Sequence, residues 1–66
     1  MNFQIELEQE DDGRWIAEIP TLPGAMAYGA TIEEAKSKVE VLALRITADK
    51  LESEQSSVEA VKFAMA

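Results

Sequence analysis

Chain-breaking residues concentrate in one stretch, Ile19–Glu34, and their placement limits what can form on either side. The stretch holds both prolines, Pro20 and Pro23, and two of the three glycines, Gly24 and Gly29. In Leu22-Pro23-Gly24-Ala25 the Pro and Gly occupy the central positions of a type II turn, the second of which needs a positive φ. Thr31-Ile32-Glu33-Glu34 reads as a capping box, with Thr31 as N-cap and Glu34 reaching back to its amide. Short extended elements must therefore precede the stretch, and a helix must follow it.

Upstream, Asn2–Gln9 alternates strictly, with Phe3, Ile5 and Leu7 on one face and Asn2, Gln4, Glu6 and Glu8 on the other. That is the period of a half-buried strand. A second strand spans 14–19, and Glu10-Asp11-Asp12-Gly13 between them signals a hairpin. A two-residue loop would set Leu7 opposite Glu18 and mix core with surface. A three-residue loop, Asp11 to Gly13 with Gly13 left-handed, pairs Leu7 with Ala17 and Ile5 with Ile19 and keeps one face apolar. The same register places Glu6 opposite Glu18, and Glu8 opposite Ile16. Directly opposed like charges are mildly destabilising. They mark an acidic patch for a cationic partner or metal ion, or else two solvated carboxylates that splay apart.

Downstream, a short third strand over 25–28 is closed by Gly29-Ala30. The helix is expected from Ile32 to about Leu51, with Glu34 and Lys38 as a favourable i,i+4 pair. Its first apolar stripe, Ala35, Val39, Leu42 and Ile46, suits packing on a sheet. A second stripe, Val41, Leu44, Ala48 and Leu51, lies nearly opposite, and one helix cannot bury both against its own sheet. An intermolecular contact is expected there. Glu52–Ser57 reads as a polar loop, and 58–65 alternates again as a fourth strand. The expected fold is α+β, β-β-β-α-β: a four-stranded mixed sheet of order 3-2-1-4 with one helix packed on one face. Strand four runs parallel to strands one and three by the right-handed crossover rule. The helix-free face is left partly apolar by Ile16 and Trp15.

With 66 residues the chain makes a single domain, 1–66. A chain of this size buries only about 60% of its unfolded surface, so oligomerisation or a partner is the usual added support. It has no cysteine and no histidine, which removes thiol, Ser-His-Asp and imidazole-metal chemistry. No apolar run resembles a leader peptide or a membrane span, so a soluble, cytoplasmic protein is expected. Thirteen Asp and Glu stand against six Lys and Arg, a net charge of −7, which disfavours direct nucleic-acid binding and favours a basic protein partner. Glu6, Glu8 and Glu18 offer oxygen ligands but no nearby histidine or nucleophile. Neither an enzyme, nor a metal site, nor a cofactor site is expected. The expected partner surface is the acidic set Glu6, Glu8, Glu10, Asp11, Asp12 and Glu18. Trp15, Ile16, Val41, Leu44, Ala48 and Leu51 are the expected apolar contacts to a partner or a second copy. Trp15 and Tyr28 are residue types that anchor interfaces, although in so short a chain an aromatic first serves the core.

The pattern Gly13-x-Trp15-x-Ala17-x-Ile19-Pro20-x-Leu22-Pro23-Gly24-x-x-Ala27-x-Gly29-x-Thr31-x-x-Glu34-Ala35 resembles the N-terminal signature of the HicB family of antitoxins. The run Leu42-Ala43-Leu44-Arg45 through Ala48-Asp49-Lys50-Leu51-Glu52, followed by a short strand, is similar to compact members. The resemblance implies a degraded ribonuclease H-like fold and a toxin–antitoxin role: masking a small basic HicA-like toxin that cleaves messenger RNA. Longer members carry a C-terminal DNA-binding segment. This sequence reaches Ala66 without one, so operator binding by it alone is not expected. The carboxylates do not reproduce a ribonuclease H site, and nuclease activity is not expected. The alternative function is a free-standing homo-oligomeric regulatory or structural module, dimer or larger, without a toxin partner.

Overall fold

The computed structural model describes residues 1–66. Alternating apolar residues, turn chemistry and one capped helix produce β1 (Asn2–Gln9), β2 (Trp15–Glu18), β3 (Met26–Gly29), α1 (Ile32–Glu54) and β4 (Lys62–Met65). The four strands form one sheet in the order β3-β2-β1-β4. β1 pairs antiparallel with β2 and parallel with β4, and β2 pairs antiparallel with β3. The chain is thus α+β with a mixed sheet and a single helix, which lies over β3 and β2.

The hairpin takes the register that keeps apolar residues together: Leu7 opposes Ala17, and Glu6 opposes Glu18. Glu10 N–H donates to Arg14 C=O at 2.7 Å, and Gly13, at φ 93°, supplies the left-handed residue of the three-residue loop. The Pro23-Gly24 turn closes through Ala25 N–H to Leu22 C=O, 3.1 Å, with Gly24 at φ 89°. Thr31 Oγ1 accepts Glu34 N–H at 3.1 Å. The return arm of the cap lands one residue earlier than expected, with Glu34 Oε1 accepting the N–H of Ala30 rather than of Thr31.

The core is small. Phe3, Ile5, Ile19 and Val39 supply its bulk, and Ala17, Ala25, Ala35 and Ala43 fill the helix–sheet contact. Gly29 permits that contact, because a Cβ there would lie 2.4 Å from Ala35 N. Phe3 on β1 meets Phe63 on β4, with ring centroids 5.7 Å apart.

Several boundaries and one face differ from the expectations. The buried row on α1 is Ala35, Val39, Ala43 and Thr47, not Ala35, Val39, Leu42 and Ile46. Alanine at 43 lets the helix approach the strands more closely than leucine would, so Leu42 and Ile46 flank the contact. The helix runs on to Glu54 and ends in a Schellman cap. Gln55 at φ 53° donates to Glu52 C=O (3.2 Å), and Ser56 N–H to Leu51 C=O (2.9 Å). β4 starts at Lys62 rather than at residue 58, because its ladder with β1 begins at Asn2–Lys62, and before it only the Met1 ammonium reaches back, to Ala60 C=O at 2.9 Å. β2 is shorter than 14–19, since Arg14 closes the hairpin loop and Ile19 C=O is taken by Leu22 N–H. β3 sits one residue later than 25–28, because Ala25 N–H belongs to the turn.

Candidate functional site: the helix-free sheet face

Side chains alternate across a strand, so the residues whose neighbours enter the core point the other way. Glu6 and Glu8 of β1, Ile16 and Glu18 of β2, and Met26 and Tyr28 of β3 therefore share the face that α1 does not cover. Two cross-sheet rows result. Glu6, Glu18 and Met26 form one, and Glu8, Ile16 and Tyr28 the other. Glu6, Glu8, Glu18, Ile16 and Leu7 line a shallow cleft of about 380 Å³ with carboxylates at its rim and an apolar floor.

The local cations are at its margins. The Arg14 guanidinium carbon stands 4.7 Å from the centre of the Tyr28 ring. Its Nε also donates to Asp12 Oδ2 at 2.8 Å. Lys62, the register partner of Asn2, is at the opposite corner of the face. Glu6, Glu8 and Glu18 have no ion pair, so a strip of uncompensated negative charge crosses the centre of the sheet. Asp12 is different. Its carboxylate also accepts Arg14 N–H at 3.0 Å, and that hydrogen bond, with Arg14's own charge, holds its pKa below the ordinary value. Asp12 is thus a loop-ordering group, while Asp11 is free on the loop and half-buried Glu10 uses its backbone to close the hairpin.

The structure therefore brings together Glu6, Glu8, Glu18 and Ile16, and sets Glu10, Asp11 and Asp12 beside them on the loop. It separates Trp15, which faces the helix side, is half-buried and packs against the core. The parity that puts Ala17 in the core puts Trp15 on the same side, so the expectation of Trp15 on the bare face is corrected. Tyr28 goes the other way. It is 40% exposed at the edge of the acidic face rather than in the core, the place its residue type was first given, and Met26, for which no contact was expected, is 47% exposed beside it. Period-two pairing of 26 and 28 against buried Ala25 and half-buried Ala27 is the signal that places them there.

On the helix, Val41, Leu44 and Ala48 are exposed as expected, and Leu51 is half-buried. Val41 lines an apolar groove of about 350 Å³ with Leu42, Ala27, Ser37 and Lys38; Leu44 does not reach it. No three acidic side chains converge closely enough to hold a metal ion. No helix is long and apolar enough to cross a membrane. Compared with family models, curated proteins and solved structures, the chain gives no match.

Proposed function

We propose that the chain is a protein-binding module of antitoxin type that covers a small basic partner with its helix-free face. The observation that carries this is the uncompensated strip Glu6–Glu18 with Glu8 beside it, over the apolar floor of Ile16. Folding leaves these carboxylates opposed on a rigid sheet, where they repel each other mildly. Lys or Arg side chains of a partner turn that repulsion into complementary contacts, while Ile16, Met26 and Tyr28 supply apolar area. Carboxylates with half-exposed apolar neighbours on a flat sheet suit binding of a cationic protein surface.

The sharper identity rests on the HicB-like run from Gly13 to Ala35. The β-β-β-α-β order and 3-2-1-4 sheet support a relation to that family's reduced ribonuclease H-like fold. In this reading the partner is a HicA-like toxin that cleaves messenger RNA. The basic surface it uses to hold RNA is occupied by the acidic sheet, in the cytoplasm, without catalysis by this chain. The test is co-expression with the small basic HicA-like protein of the same source. Stoichiometric co-purification and restored growth are expected. A toxin that is neither captured nor silenced sinks the proposal.

A further inference from the structure

We infer that a second copy of the chain pairs with β3, joining two sheets into one across a two-fold axis. The register leaves β3 open along one side. Ile19 N–H donates to Ala25 C=O at 3.0 Å, and the ladder continues through Ala17–Ala27 and Trp15–Gly29. Alternation in an antiparallel ladder then turns the N–H and C=O groups of Met26 and Tyr28 outward. Met26 N–H is taken by Gly24 C=O at 3.1 Å; Tyr28 keeps both groups for a further strand.

Edge strands that stay unpaired are usually guarded by charge, proline or a covering element. Met26-Ala27-Tyr28-Gly29 has no charge and no proline. Both flanks are largely apolar, with Arg14 over the Tyr28 ring as the cation of the bare-face flank. On the bare face Met26 and Tyr28 are 47% and 40% exposed, and on the helix side Ala27, Leu42 and Val41 line the open groove. The one cation of the groove, Lys38, is held by Glu34 at 3.3 Å.

Three observations select a second copy as occupant. An antiparallel β3–β3 pair is isologous, so the contact closes at two chains instead of propagating. Strands lie ~4.8 Å apart, so helices seated over β2 and β3 would run side by side at about 10 Å, the distance at which helices pack. The grooves beside Val41 would then face each other. Charge does not oppose it. β3 itself carries no carboxylate and Arg14 stands over Tyr28, although the unpaired Glu18 of β2 lies opposite Met26. Half of the eight buried core residues are alanines, so burial at this edge adds what the small core lacks. A two-fold perpendicular to the sheet leaves both acidic faces on one side, open to the partner proposed above, and the inference stands without that proposal.

Sedimentation equilibrium of the chain alone, over a concentration series, is the test. The expected mass is twice the 7.3 kDa of one chain. Tyr28 amide exchange should slow as concentration rises. Tyr28→Pro removes the outward donor without touching the β2 ladder, and Met26→Lys and Val41→Lys place charge on either flank. Each is expected to weaken dimerisation by at least about tenfold, with far-ultraviolet circular dichroism unchanged for the two lysine variants. A wild type that remains monomeric across the series overturns the inference, as does a dimer whose dissociation constant is unmoved by both lysine variants.

Discussion

Gly29→Ala tests how closely α1 is seated on β3. A Cβ at residue 29 would lie 2.4 Å from Ala35 N and 3.0 Å from both Ala35 Cα and Glu34 C. All three are backbone atoms of the first helical turn, so no rotamer change relieves the overlap. Reaching ordinary contact near ~3.5 Å requires the helix start to retreat by about 1 Å. That motion loosens Ala35 and Val39, both fully buried. Overpacking of this kind costs about 1–3 kcal/mol. At roughly 4–8 °C per kcal/mol for a chain of this size, a central value of ~2 kcal/mol lowers Tm by about 8–16 °C. Gly13→Ala is the control. Gly13 has φ +93° but nothing within 4 Å of its added Cβ, so only the left-handed strain of about 1 kcal/mol applies. Thermal unfolding at matched chain concentration reads both variants. A Gly29→Ala Tm within about 3 °C of wild type, or a smaller loss than Gly13→Ala, would refute the close helix–strand seating.

Thr31→Ala removes the hydroxyl that accepts Glu34 N–H and is expected to lower stability by about 1 kcal/mol in denaturant titrations. Glu34 carries a depressed pKa, chiefly because Ala30 N–H bonds its carboxylate and secondarily through Lys38. Its contribution is therefore full above the unfolded-state pKa and lost as pH falls through the lower folded-state value. The Tm gap between wild type and Glu34→Gln should narrow on acidification, and a gap independent of pH would contradict this. Thr47 Oγ1 is buried without a hydrogen-bond partner. Thr47→Val keeps the shape and is expected to raise stability by about 1 kcal/mol; a loss would show that the hydroxyl is satisfied in solution.

The strands, their order and the acidic row were legible because they follow from period-two alternation and from Gly13 and Pro23-Gly24, whose backbone preferences are local. Choosing the register that kept Leu7 beside Ala17 was enough to place Glu6 against Glu18. The less legible features depend on what lies across space. Ala43 rather than Leu42 enters the core because the separation between α1 and the sheet, set at Gly29 and Ala35, has no local signature. The helix end at Glu54 was hidden because a glutamine, not a glycine, adopts the left-handed cap conformation. β4 was overextended because its length is set by the start of β1, sixty residues away along the chain. Trp15 was misplaced although the parity of Ala17 already assigned its side. Its bulk and half-polar ring suggested an interface, whereas it covers the edge of a core too small to enclose it.

The acidic face is tested most directly by the affinity for the proposed basic HicA-like partner at two salt concentrations, for wild type and for a Glu6→Lys/Glu18→Lys variant. Both positions are exposed and opposed on the bare face, so the reversal leaves the core untouched. Wild-type affinity is expected to fall with salt, and the variant to bind at least about tenfold more weakly, with its own salt dependence flattened. Equal affinity of wild type and variant at low salt would contradict a role for this face in binding.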